Sequence, residues 1–359
     1  MIAFLEPYYA GSHKYFADNF VKLTGAHLFA LKGKHWKWRM HGASVKFADM
    51  VKTSGKKFDT IVVSSLTDVA LLRSLLIDYN PKIRIITYFH ENQLVYPWSE
   101  DDRGPEKKKD LHYGFINFTS ALLSNAAVFN SEFNRDSFLN ALGPFLKSFP
   151  DEQLTSKIDE IRKKSFVIYP GIDIPIFERK ETNKVPFILW NHRWEYDKNP
   201  DEFFKALFNL KDKYDFKIVV CGEEKKNPPE IFNKAKEVLK DRIIHWGFAT
   251  SRESYLELLK MSDIAPVTAN HEFFGLSVLE AAASGVIPIM PQRLTYPELF
   301  PPEKFGELFY QTGKLESKLE DVLKNYKTVN INKISERSLS FNWHRLSNRF
   351  NSLIDELNI

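Results

Sequence analysis

The chain has 359 residues, more than one hydrophobic core usually holds, so two domains are the starting expectation. A 43% hydrophobic and 14% aromatic composition is ample for folded cores. The balance of 50 Lys and Arg against 46 Asp and Glu excludes a chain that is basic throughout, so local clusters of charge carry more meaning. Cys221 is the single cysteine, which excludes an internal disulfide and a cysteine-based zinc site and suits a reducing compartment. The apolar run Ile2 to Leu5 ends at Glu6 and Pro7, too short for a signal peptide or a membrane span. The expectation is a cytoplasmic protein with no membrane contact.

Met1 to Leu5 reads as a buried strand. Glu6 to Lys14 reads as a loop opening a helix from about Tyr15 to Leu23, with Ser12 as its N-cap. Gly11 would let the backbone approach a phosphate, although a plain turn is the simpler reading of a lone glycine. Between Lys32 and Lys57 stand eight Lys and Arg against one acid, Asp49, interleaved with His35, Trp36, Trp38, His41 and Phe47.

Apolar runs at Leu28 to Leu31, Thr60 to Val63, Ile83 to Tyr88 and Ala126 to Phe129 alternate with helix-compatible segments, the pattern of a mostly parallel sheet covered on both faces. Ligands of such sheets bind beyond the carboxyl ends of the strands. His90-Glu91-Asn92-Gln93 occupies one such end, and His90 with Glu91 fits a proton-transfer pair, a sugar-hydroxyl contact or a structural pair. Asp101 to Asp110, with Lys107 to Lys109, reads as a solvated loop. Pro170 to Pro186 reads as a linker, giving domains over 1–178 and 185–344, with a final amphipathic helix at about 345–359 packing back on the first.

The second domain repeats the alternation. Phe187 to Trp190 is a strand, and the polar loop after it places Arg193 and Lys198 before a helix from Asp201. Two cations there suit a diphosphate, Arg by its planar fork and Lys as a point charge; ion pairs to Glu195 or Asp197 are the alternative. Gly222 and Phe248 each follow a strand. Asp263 to Val267 then delivers His271-Glu272-Phe273-Phe274-Gly275-Leu276-Ser277, and Leu276 to Ala283 favours helix. Gly275 permits a tight turn, and the amides of Leu276 and Ser277 then open the helix where the macrodipole favours phosphate. Glu272 is left free for a sugar and Glu280 for ribose hydroxyls. An amphipathic helix with a capping Glu272 and a solvated Glu280 fits the same residues. The expected fold class is α/β, two facing Rossmann-like domains with an interdomain cleft.

Arg193 and Lys198 after a strand, with Glu272-Phe273-Phe274-Gly275-Leu276 and Glu280 downstream, resemble the retaining GT-B glycosyltransferases. That resemblance implies that Arg193 and Lys198 neutralise the donor diphosphate, Glu272 meets the donor sugar, and Glu280 holds the ribose. Gly11 and His90 match further donor contacts. On this footing Arg193, Lys198, Glu272 and His90 are the catalytic candidates. Gly11, Ser12, Gly222, Phe248, Phe274, Gly275, Leu276, Ser277 and Glu280 are the donor-binding ones.

A narrower resemblance rests on Glu6-Pro7-Tyr8-Tyr9-Ala10-Gly11-Ser12-His13-Lys14, Lys34-His35-Trp36-Lys37-Trp38-Arg39 and Tyr88 to Pro97, extended by His192-Arg193-Trp194-Glu195 and His245-Trp246-Gly247. These are similar to the tRNA-queuosine α-mannosyltransferases. The similarity implies GDP-mannose as donor, the cyclopentene-diol of queuosine in a tRNA anticodon loop as acceptor, and neither metal nor cofactor. His13, Trp36, Trp38, Arg39, Glu91, Asn92 and Gln93 are then candidates for the acceptor. A transferase of the same fold acting on a lipid-linked or envelope glycan, and an RNA-binding relative without transfer activity, are the competing expectations.

Overall fold

The structure, a computed structural model, describes residues 1–97, 111–175, 182–224 and 228–357. Two compact units divide the chain: Met1–Gly171 with Trp343–Ile359, and Ile172–Asn342. The charged loop around Lys107 lies outside the described residues.

In the first unit the elements run β1 (Ile2–Tyr9), α1 (Gly11–Thr24), β2 (His27–Lys32), α2 (Trp36–Thr53), β3 (Thr60–Ser64), α3 (Val69–Leu75), β4 (Arg84–Phe89), α4 (His112–Leu123), β5 (Ala126–Phe129), α5 (Glu132–Lys147), α6 (Lys157–Lys163) and β6 (Ser165–Val167). The strands form one parallel sheet in the order β2-β1-β3-β4-β5-β6. Successive side chains of a strand point to opposite faces, and β1 shows it. Ala3 and Leu5 join Phe47, Val63 and Leu72 beneath α2 and α3, while Phe4 joins Phe16, Phe20 and Tyr88 on the other face.

The second unit holds β7 (Phe187–Trp190), α7 (Pro200–Leu210), β8 (Lys217–Cys221), α8 (Ile231–Val238), β9 (Ile243–Gly247), α9 (Arg252–Met261), β10 (Ile264–Pro266), α10 (Leu276–Ala283), β11 (Ile287–Pro291), α11 (Tyr296–Leu299), α12 (Pro302–Phe305), β12 (Phe309–Tyr310), α13 (Leu315–Asn325) and α14 (Ile331–Leu339). Its parallel sheet has the order β12-β11-β10-β7-β8-β9. The order reverses between β7 and β10, and the loops leaving those two strands diverge there, the usual ligand position in such sheets.

The last helix, α15 (Trp343–Glu356), belongs to the first unit, where Trp343, Phe350, Leu353 and Ile354 fill the face that holds Phe16 and Tyr88. The division falls at Gly171 rather than 178 because the Ile172 amide donates to the Phe341 carbonyl at 2.9 Å. On the other side of the division Gly171 lies against Trp343, where a Cβ would come within 2.4 Å of the indole.

Two local expectations are corrected. Glu6 to Tyr9 is strand, not loop, because β1 is paired on both sides and extends along β2 as far as the Tyr9–Lys32 register. Helix α1 therefore starts at Gly11 with extended Ala10 as its N-cap, so Ser12 sits exposed in the first turn and caps nothing.

Candidate active site

In the second unit, β7 is an apolar, buried strand, and the chain leaves it through Asn191 and His192 into a 3-10 turn at Tyr196–Lys198. That turn ends on Asn199 in the left-handed region, with Pro200 starting α7. Lys198 is only 8% exposed. A buried ammonium needs oxygen partners, and it has three: the His271 carbonyl at 3.0 Å, Glu272 Oε2 at 3.2 Å and Asp197 Oδ2 at 3.1 Å. Burial works against its charge, but Glu272 and Asp197 outweigh that and raise its pKa.

Glu272 is held by its own loop. Phe273 and Phe274 are both buried, and the Phe274 amide donates to Glu272 Oε1 at 3.3 Å. Gly275 has φ +92° and caps α10, a conformation that a side chain would strain. Burial would raise the Glu272 carboxyl, but Lys198, His192 and the Phe274 amide hold it at about 2. His192, buried beside Ser277 with Nδ1 3.2 Å from its hydroxyl, is pushed down to about 4 by burial and by Lys198, so its ring is neutral. Leu276 and Ser277 are the first two residues of α10, whose amides have no carbonyl within the helix to bond.

One helical turn further on, Glu280 is buried and doubly held: Arg252 Nη2 lies 2.7 Å from its Oε1, and the Tyr255 hydroxyl donates to its Oε2 at 3.0 Å. Asn191 Nδ2 donates to the Tyr255 oxygen and to the Ser277 carbonyl, which ties α9, α10 and the end of β7 together. A solvated Glu280 is thereby excluded. Arg193, half exposed, pairs with Glu195 at 3.0 Å. Gly222 packs so closely that a Cβ would stand 1.9 Å from the His192 carbonyl oxygen. Phe248, by contrast, is 68% exposed. The structure thus gathers Lys198, Glu272 and Phe274 in one bonded group and Ser277 and Glu280 in a second, with Gly275 and Leu276 joining them at the start of α10 and Gly222 packed against His192.

The first unit gathers a second group from β1, the start of α1 and the end of β4. Glu6 is fully buried, and His13 Nδ1 lies 3.1 Å from its Oε1 while His13 Nε2 lies 3.5 Å from Glu91 Oε2. His90 Nε2 stands 4.0 Å from Glu6 Oε2, and the His13 and His90 rings are 4.2 Å apart. Among the described residues, Glu6, His13 and His90 are the group whose donor atoms lie close enough to suit a metal ion, within 4.8 Å of one another. Positions 6, 13 and 90 have no ligand spacing along the chain, so this convergence is a product of the fold. Gly11, with φ +51° and open space where a Cβ would go, begins α1.

Asn92 and Gln93 do not fit as acceptor contacts. Asn92 is fully buried, donating to Asn134 and Ser137 and accepting from the Val95 amide. Gln93 is buried with its amide bonded to Asn117. Asn92 spends its side chain on holding the start of α5 against the end of β4.

The amino-acid sequence matches two family profiles: "tRNA-queuosine alpha-mannosyltransferase N-terminal" over residues 1–172 and "Glycosyl transferases group 1" over residues 173–337. It is 36% identical to the tRNA-queuosine alpha-mannosyltransferase of Drosophila melanogaster over 333 residues, 89% of this chain and 85% of that protein. The chain belongs to the tRNA-queuosine α-mannosyltransferase family.

Membership makes this chain a glycosyltransferase, and its two parallel six-stranded sheets are those of the GT-B fold. The sucrose-phosphate synthase of Thermosynechococcus elongatus superposes with a TM-score of 0.73 at 13% identity, over 99% of this chain and 98% of that one. A glycosyltransferase of Rickettsia africae gives 0.68 at 14% identity, over 99% and 98%. Among the described residues no helix is long and apolar enough to cross a membrane.

The N-terminal match to the tRNA-queuosine α-mannosyltransferase family contains the basic stretch, most of which is α2. Its two tryptophans part company. Trp36 packs on Tyr113 at 5.2 Å beside Met40 and Leu66, whereas Trp38 is 64% exposed. Arg39 donates to the Lys32 carbonyl at the N-terminal end of the helix.

Five participants escaped sequence reasoning as site residues: Glu6, Asn191, His192, Arg252 and Tyr255. His192 adjoins Arg193, which was a usable signal. Arg252 and Tyr255 act one turn apart on a helix whose nearness to Glu280 no spacing reveals.

Proposed function

We propose that this protein transfers mannose from GDP-mannose to the cyclopentene-diol of queuosine in a tRNA anticodon loop, with retention of configuration. The observation that carries the transfer chemistry is the Lys198–Glu272 pair at the mouth of α10, backed by neutral His192. Lys198, the opening amides of α10 and Arg193 are the groups for the leaving diphosphate. Charge builds on that phosphate as the glycosidic bond breaks, and fixed positive groups there lower the barrier. Glu272, an anion held in place at neutral pH, accepts hydrogen bonds from sugar hydroxyls, and Glu280 receives the ribose.

The acceptor reading rests on the relative's name and on α2. An exposed indole among lysines suits an anticodon loop, which offers phosphates and unstacked bases, and such an acceptor puts the work in the cytoplasm. The test is incubation with labelled GDP-mannose and total tRNA, with and without queuosine. Label should enter only queuosine-containing tRNA. Incorporation into lipid or saccharide without tRNA, or tRNA retention without label, would refute the assignment.

A further inference from the structure

Glu6 places a fully buried carboxyl side chain inside the first unit, and the reaction as proposed gives it nothing to do. Its Oε1 accepts from the Tyr8 amide at 2.8 Å and meets His13 Nδ1 at 3.1 Å, with the Ser64 hydroxyl at 3.4 Å. On the far side of the same ring, His13 Nε2 faces Glu91 Oε2 at 3.5 Å, and Glu91 is partly exposed where Glu6 is not. The imidazole thus stands between an interior carboxylate and a surface one. Its ring lies over His90 at 4.2 Å, and His90 Nε2 comes within 4.0 Å of Glu6 Oε2.

We propose that Glu6 and His13 are positioning residues: Glu6 anchors the His13 ring, which bridges to the Glu91 carboxylate and packs on the His90 ring, and so fixes both at the end of β4 for the substrates. An isolated buried carboxylate is costly, and a proton on the imidazole makes the pair neutral. With protons on both ring nitrogens, His13 donates to both carboxylates; a neutral ring serves only one. Burial opposes the charge, but Glu6 and Glu91 together hold His13 at about 10. His90, pushed well down by burial and by the His13 charge, stays neutral next to it. Among the described residues, the other titratable side chains in ring contact with these histidines are Tyr8 and Tyr88, and Phe16 meets His90 edge-on. A divalent cation in place of the proton is the rival occupant of the same donor set.

The role given to Glu91 and His90 rests on the proposed transfer reaction, so the test has an arm that needs no substrate. Nitrogen-15 titration of labelled histidines should show His13 doubly protonated up to about pH 9 in the wild type and titrating near the ordinary value of about 6.5 in Glu6→Gln. In the kinetic arm, Glu6→Gln should gain a descending limb of kcat between about pH 6 and 8 that the wild type lacks, with the KM for GDP-mannose little changed. His13→Asn should lower kcat by up to about 10²-fold at every pH, as misplaced groups do. A His13 that titrates near neutrality in the wild type overturns the proposal, and this reading survives any variant that fails to fold. Parallel pH profiles for Glu6→Gln and the wild type overturn it as well. So does stoichiometric zinc, taken up from added zinc salt by the wild type and not by His13→Asn.

Discussion

The ammonium of Lys198 and the carboxylate of Glu272 lie 3.2 Å apart, the lysine almost wholly buried and the glutamate one-fifth exposed. Each is the other's main electrostatic support, and Asp197 gives the ammonium a second carboxylate. Lys198→Ala should therefore do two things. Turnover should collapse, and the fold should lose about 3 kcal/mol, because two carboxylates are left beside an empty site. Denaturant melts of the variant, set beside its rate, separate the two effects.

Stability should fall on acidification in two stages with the same sign. His192 is neutral in the fold with a pKa of about 4 against an ordinary 6.5, so stability is lost as pH falls from about 6.5 toward 4. Glu272 has a depressed pKa, so its contribution is complete above about 4.5 and lost as pH falls toward 2. Its share is about 3 kcal/mol. Urea midpoints from pH 7 to pH 2.5 should show the lower stage weakened in Glu272→Gln.

Gly222→Ala should be the most damaging small substitution in the second unit. The new methyl would meet a backbone oxygen, that of His192, at 1.9 Å, and no rotamer change relieves a clash with backbone. A loss of about 3 kcal/mol is expected, with weaker donor binding because Asn191, His192 and Arg193 shift together. A thermal melt and a donor titration measure both.

Removing the Tyr255 hydroxyl tests Glu280. Tyr255→Phe deletes the donor to Glu280 and the acceptor for Asn191, leaving Arg252 as the partner of the acid. The KM for GDP-mannose should rise by roughly tenfold, the equivalent of one hydrogen bond of about 1.4 kcal/mol, with kcat less affected.

Trp36 and Trp38 should separate stability from acceptor binding. Trp38→Ala should leave the melting temperature within error and weaken tRNA binding by about 1–3 kcal/mol, the range for one stacked base. Trp36→Ala removes packing against Tyr113 and should lower the melting temperature. Filter binding with queuosine-containing tRNA, paired with calorimetry, tells them apart.

The alternation of apolar runs made both parallel sheets legible, because strands buried on two faces leave uninterrupted hydrophobic stretches such as Ala126 to Phe129. The loop acid, the turn glycine and the helix acid were legible for a local reason: Glu272, Gly275 and Glu280 lie within one short segment. Glu6 was misread because a Glu-Pro pair signals the end of a strand, whereas β1 runs on along β2 to Tyr9 and the buried carboxyl side chain is met by the Tyr8 amide, His13 and Ser64. Asn92 looked like a ligand contact because its type and its strand-end position suit one. What it bonds, Asn134 and Ser137, lies more than forty residues away in the chain.

Helix α15 has a consequence for the order in which the protein is made. Phe350 packs on Phe16, Phe20 and Tyr88, so the hydrophobic face of the first sheet stays open until residues beyond 350 have left the ribosome. The second unit, contiguous from Ile172 to Asn342, has no such wait. The half that is synthesised first is therefore the half that finishes folding last, and for the whole interval its nascent strands are a natural client for chaperones.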